Sequence, residues 1–104
     1  MFTQAYATAM TSTHKFQHAC VVIRGGKPVA IDANINYGHA EVRALEKIRP
    51  LDRRKCSVFS LRFAKSGKLQ NAKPCVECQK YMRANGIRFA WYSNAAGKIQ
   101  KMFL

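Results

Sequence analysis

Two short motifs in this chain, His39-Ala40-Glu41 and Pro74-Cys75-Val76-Glu77-Cys78, hold side chains that share one chemistry only if the fold brings them to one point. Their first ligand residues, His39 and Cys75, stand 36 residues apart. One imidazole and two thiols make three metal ligands. A structural zinc site is closed by four protein ligands, whereas a catalytic one keeps three and leaves the fourth position to water. Cys75 and Cys78 are three apart, so a helix opened by Pro74 sets both thiols on one face of its first turn. There the positive end of the helix and the metal itself both favour thiolate. Two thiolates and a neutral imidazole balance Zn²⁺, and a water in the open position becomes acidic enough to ionise near neutral pH. Glu41 is not needed as a ligand and is the candidate proton carrier beside that water. Residues two apart on a regular helix point to nearly opposite sides. The motif therefore requires His39 and Glu41 to occupy the very start of a helix, where the backbone is still turning in.

The rest of the chain bounds the setting. Its 104 residues suit a single domain, 1–104, with no visible repeat, linker or low-complexity tract. There is no apolar signal-peptide core and no stretch long enough to cross a bilayer, so the four cysteines read as reduced thiols in an intracellular, cytoplasmic protein. Cys20 and Cys56 lie in apolar runs and read as buried filler. His14 and His18 sit too close to the first helix and strand to complete the zinc site. Eighteen Lys and Arg against five Asp and Glu give a net charge of +13, with no charge before Lys15 and the densest run at Arg49 to Lys55. An excess this large in a small domain implies a polyanionic partner, nucleic acid or a phosphorylated substrate. Tyr37, Tyr81, Trp91 and Tyr92 are candidates for stacking on bases, although most aromatics belong to the core.

Apolar spacing from Phe2 to Met10 predicts an amphipathic helix over residues 3 to 14. His18 to Ile23 and Pro28 to Ala33, separated by Gly25-Gly26, predict a β-hairpin. A helix is expected from His39 to Arg49, with Val42, Leu45 and Ile48 inward and Pro50 as its stop. Cys56 to Phe63 reads as the third strand and Cys75 to Ala84 as the second motif helix, stopped by Asn85-Gly86. Ile87 to Tyr92 and Lys98 to Phe103 supply strands four and five. Only Ser93 to Gly97 joins them, and a parallel crossover needs a dozen or more residues. These two strands must form an antiparallel hairpin.

His-x-Glu followed by Pro-Cys-x-x-Cys is a signature of zinc-dependent nucleobase deaminases. On these residues, and over roughly residues 18 to 103, the chain resembles the cytidine deaminase-like superfamily. The resemblance implies an α/β, three-layer cytidine deaminase-like fold: a mixed five-stranded sheet with helices on both faces. It implies Zn²⁺ on His39, Cys75 and Cys78 and catalysis by Glu41. The terminal hairpin is unlike the tRNA adenosine deaminases and the vertebrate polynucleotide cytosine deaminases, which run those strands parallel. It is similar to free-nucleoside cytidine deaminases and several bacterial toxin deaminases. Nucleoside enzymes carry Asn-x-Glu before the first motif helix and Cys-Ala-Glu within it. This chain has Asn34-Ile35-Asn36 and His-Ala-Glu, so the sugar-binding carboxylate is missing and room is left for a phosphate.

The expected substrate contacts are Asn34, with Asn36 as its fallback, the backbone N–H of Ala40 and the carbonyl of Val76. Glu77 reads as structural, favourable at a helix start, and Pro74 as shaping the helix entry. Specificity would rest on the loops at 35 to 38, 49 to 55 and 65 to 73. The leading reading is a hydrolytic deaminase converting cytosine to uracil in single-stranded DNA or RNA or in a cytidine nucleotide. The alternatives are an adenine deaminase and a non-catalytic, zinc-stabilised nucleic-acid-binding module, the last disfavoured because a structural site has no use for Glu41. The resemblance also leaves room for a homo-oligomer.

Overall fold

A computed structural model describes residues 2–11, 17–34 and 39–104. The expected positions His14, Asn36 and Tyr37, the loop 35–38 and the last turn of the first expected helix lie outside the described residues.

Helix α1 (Phe2–Ala9) is followed by the hairpin β1 (Gln17–Arg24) and β2 (Lys27–Ala33). Gly25 and Gly26, both at positive φ (59° and 76°), make its two-residue turn, a geometry only glycine adopts without strain. Then come α2 (Ala40–Glu46), a short α3 (Pro50–Arg53), β3 (Cys56–Phe63), β4 (Leu69–Gln70), α4 (Val76–Ala84), β5 (Phe89–Ser93) and β6 (Ile99–Phe103). The sheet runs β2-β1-β3-β5-β6, with β4 paired to the end of β3. All neighbours are antiparallel except β3 and β5. The expected mixed sheet and terminal hairpin are therefore present, with one strand more than expected. That strand, β4, is two residues long and lies in a polar stretch, where no period could announce it.

Side chains alternate across the sheet, and this alternation builds three layers. Ala19, Val21, Leu61 and Phe63 face Ala5 and Ala9 of α1. Cys20, Val22, Val58 and Ala90 face the other way, against Ala44 and Leu45 of α2 and Met82 of α4. Two helix boundaries differ from expectation. Helix α2 stops at Glu46, and its buried face is Ala40, Glu41, Ala44 and Leu45, with Val42 only half-buried. Pro50 does not merely end a helix but opens α3, because its fixed φ suits a first turn whose N–H would be unpaired anyway. Among the described residues no helix is long and apolar enough to cross a membrane.

Candidate active site

Both motifs begin at helix caps. His39 is the N-cap of α2 and Cys75 the N-cap of α4, each with extended backbone (ψ 142° and 165°) and neither using its side chain to cap its helix. The two side chains are thereby left for another partner. Cys78, one turn into α4, is buried. The imidazole of His39 and the sulfurs of Cys75 and Cys78 lie within 4.8 Å of one another. A tetrahedral zinc holds N and S ligand atoms about 3.5–3.8 Å apart, so closure asks for shifts of roughly an ångström.

The cap geometry also resolves the His39/Glu41 problem. Because His39 is extended and precedes the helix while Glu41 is its second residue, the two need not point apart as they would within a regular helix. Glu41 is only 1% exposed, and its Oε1 is buried without a hydrogen-bond partner. An orphaned, buried carboxyl oxygen is expensive, about 1–3 kcal/mol, unless something else occupies the site. Burial, and then the neighbouring Glu41, push the Cys78 thiol well above its usual range. Cys20, fully buried behind the site, is pushed up for the same first reason. The imidazole and the two sulfurs form a three-atom donor set for a divalent cation, and the orphaned carboxyl group of Glu41 lies next to Cys78 but outside that set. Zinc fits the set by type and number, and by spacing after that small closure.

Other expected residues are placed less directly. The side-chain oxygen of Asn34 accepts the His18 backbone N–H at 3.1 Å, and Asn34 N–H donates to the His18 carbonyl at 3.2 Å, so that oxygen serves to pin the start of β1. Ala40 is buried and is the first residue of α2, where the helix leaves its N–H without an internal acceptor. Val76 is the first residue of α4 and is exposed. Pro74 precedes the cap, and its carbonyl accepts Gln79 Nε2–H at 2.8 Å. Glu77 is exposed in the first turn of α4.

The sequence reading missed His18 and Ser60. The alternation of β1 puts His18 on the α2/α4 face with Cys20 and Val22, paired across from Arg62 on β3. Its Nε2 lies 3.6 Å from Glu41 Oε1 and 2.5 Å from Ser60 Oγ. Ser60 donates its only hydroxyl proton to the Ala72 carbonyl at 2.9 Å, so Nε2 is the proton-bearing nitrogen and Ser60 its acceptor. Burial lowers the pKa of His18 against the opposing pull of Glu41, which keeps the ring neutral. The strand period carried the signal: a His two positions before Cys20 shares its face.

No protein-family model and no curated protein matches the chain. Among solved structures it is similar to Acinetobacter baumannii RibD in form 1, with a TM-score of 0.66 and 13% identity over 89% of this chain. Form 2 gives a TM-score of 0.62 and 14% identity over 89%. This chain spans about a quarter of the length of those proteins, 26% and 27%. At such identity the likeness is one of fold, and that fold fits a cytidine deaminase-like domain.

Proposed function

We propose, from the premise of a cytidine deaminase-like fold that sets a His/Cys/Cys trio beside a buried carboxyl group, that the protein is a zinc-dependent hydrolytic deaminase converting cytosine to uracil. The single observation that carries this reading is Glu41. A purely structural zinc site gains nothing from burying a carboxyl oxygen with no partner, whereas a deaminase needs a proton carrier there. His39, Cys75 and Cys78 would hold the metal, which when bound supplies an acidified water and a centre of positive charge. Glu41 would take a proton from the attacking water and deliver it to N3 of the ring, then take the proton of the new C4 hydroxyl and hand it to the amine, so that C4=O forms as the C4–N bond breaks and ammonia leaves. Protonation at N3 removes the aromatic penalty of attack at C4. The N–H of Ala40, which has no acceptor within its own helix at the start of α2, would bind an acceptor on the pyrimidine edge. His18, held by Ser60, keeps an N–H beside the carboxylate and limits its swing.

The substrate in this reading is cytosine in single-stranded nucleic acid or in a cytidine nucleotide, on the strength of the +13 net charge and the absence of a carboxylate from Asn34-Ile35-Asn36. Adenine is the second substrate to test. Metal analysis and an ammonia-release screen over cytidine, CMP, dCMP, single-stranded DNA and RNA, and the adenine counterparts test the reading together. Stoichiometric zinc with ammonia from a cytosine substrate is expected. A protein that binds no zinc, or that binds zinc but releases no ammonia from any of these, overturns it.

A further inference from the structure

The face of β5 and β6 opposite to α4 has no helix over it among the described residues. Helix α1 packs on β1, β2 and β3, and the cross-strand register lines up Trp91 with Lys101 and Phe89 with Phe103 on the side that α1 leaves uncovered, with Phe59, which packs against the α1 cluster, beside Trp91 at the inner end of the row. Phe59 and Trp91 stack at 4.8 Å and 14°, and Phe89 meets Trp91 edge-on at 4.9 Å. Lys101 Nζ lies 4.3 Å from the Phe89 ring centre and 5.2 Å from that of Phe103. Phe103 is 78% exposed. A ring so open to water at the rim of an aromatic row is not core.

Phe89 belongs at the same time to a groove lined by Gly26, Arg54, Lys55 and Arg88. Arg54 and Arg88 form no ion pair among the described residues. Aromatic rings and unpaired guanidinium groups thus meet at one end of the sheet, where β1 turns into β2 and β3 and β5 begin.

We propose that the Phe59/Trp91/Phe89/Phe103 platform, with Lys101 and the Arg54/Arg88 groove, binds single-stranded nucleic acid: bases stack on the rings and phosphates meet the cations. The chemistry favours this occupant over two others. A second copy of the chain docked face to face would set Lys101 against Lys101 and one +13 molecule against another. A plain apolar partner would have to bury Lys101 unpaired. Every base has a π-face, and stacking on an aromatic side chain tolerates any sequence while Lys and Arg neutralise the backbone. A base arriving on Phe103 displaces the Lys101 ammonium toward the adjacent phosphate. The platform lies on the opposite sheet face from His39 and Cys75, so it holds a strand that a mononucleotide could not span. Its bearing on catalysis rests on the deaminase reading; binding itself does not, and can be read without turnover.

Trp91 is the chain's single tryptophan, which makes the platform self-reporting. Single-stranded DNA and RNA oligonucleotides titrated into the whole chain should quench Trp91 emission in parallel with fluorescence anisotropy. Phe103→Ala, a change at an exposed ring, should weaken binding by roughly 5- to 160-fold, the range of one lost base stack. Lys101→Ala should reduce the slope of log affinity against log salt by about 0.7, while Lys80→Ala, on the outer side of α4, should leave the quenching and the Phe103 effect unchanged. Three results overturn the proposal: no oligonucleotide binding, equal losses for Lys80→Ala and Phe103→Ala, or a dimer by light scattering that Phe103→Ala dissociates. Failure of the deaminase reading would show separately, as missing zinc or ammonia with binding intact.

Discussion

Replacing Glu41 should separate stability from activity in opposite directions. Its Oε1 is buried, lacks a hydrogen-bond partner and has His18 Nε2 only at 3.6 Å, too long for a hydrogen bond. An unsatisfied buried polar atom costs about 1–3 kcal/mol. Glu41→Leu, apolar and one heavy atom shorter, removes that cost together with the carboxyl contact to the Cys78 thiol, so the metal-free variant should be more stable than the metal-free parent by at most about 3 kcal/mol. In a domain of this size each kcal/mol moves Tm by roughly 4–8 °C. Glu41→Gln keeps the shape and part of the cost and should gain less. With zinc restored the advantage should shrink, because the cation already stabilises the carboxylate. Both variants should bind zinc through the unchanged trio, and both should lose turnover by about 10²–10⁴-fold, the range of a general acid–base group. Urea unfolding of chelator-treated and zinc-loaded protein, metal analysis and ammonia release cover the three quantities. If metal-free Glu41→Leu proves less stable than the parent, the carboxyl oxygen has a partner and the reasoning from its isolation fails. Wild-type turnover in Glu41→Gln would remove it from the chemistry.

Other outcomes follow from the same geometry. His18 is held below its ordinary 6.5 in the folded state by burial, so the unfolded chain takes up that proton first; its contribution is intact above pH 6.5 and is lost as pH falls below it. His18→Gln should flatten that part of the stability profile of metal-free protein and lower kcat without changing zinc content, whereas an unchanged profile would mean that the ring is already solvated. Cys75→Ala and Cys78→Ala should both abolish tight zinc binding, but only the loss of buried Cys78 should also disturb the metal-free fold; zinc affinity should fall as pH falls, because the thiols must shed protons to bind. Gly86 sits at φ +81°, and a Cβ added there would lie only 2.7 Å from Arg54 Cβ, so Gly86→Ala should cost about 2 kcal/mol or more in thermal unfolding, and a negligible change would show that α4 can lift from Arg54.

The motifs were legible because their chemistry fixes residue types: an imidazole, two thiols and a carboxyl group stand out in any sequence. The five-residue joint after β5 was legible for a simpler reason, that so short a chain cannot cross over. Helix limits were less so. His39 and Cys75 look like first helical residues, yet both are extended caps, and it is this that frees their side chains for a metal. The side-chain oxygen of Asn34, the expected substrate contact, accepts the His18 backbone N–H, a role that only strand pairing and not composition announces. His18 was weighed only as a zinc ligand, because its partners, Ser60 and Glu41, come from β3 and α2, and only the assembled register brings three such distant positions together. Tyr92, one of the four aromatics singled out for stacking, is buried, whereas Trp91 next to it lies on the open side; a one-residue difference in strand parity decides which is available.

Ala72 is tied at both ends: its N–H donates to the Ser93 carbonyl at 2.7 Å and its carbonyl accepts Ser60 Oγ–H at 2.9 Å. Ser93 in turn donates its hydroxyl to the Gln70 carbonyl at 2.6 Å. The strap that delivers Pro74 and Cys75 is therefore buttoned to the sheet just upstream of the ligands, and the same button holds the ring beside Glu41. In the proposed deaminase, ligand delivery and proton handling would share one fastening, so changes in length or sequence at the tip of the loop from Ala64 to Lys68 are expected to leave both in place.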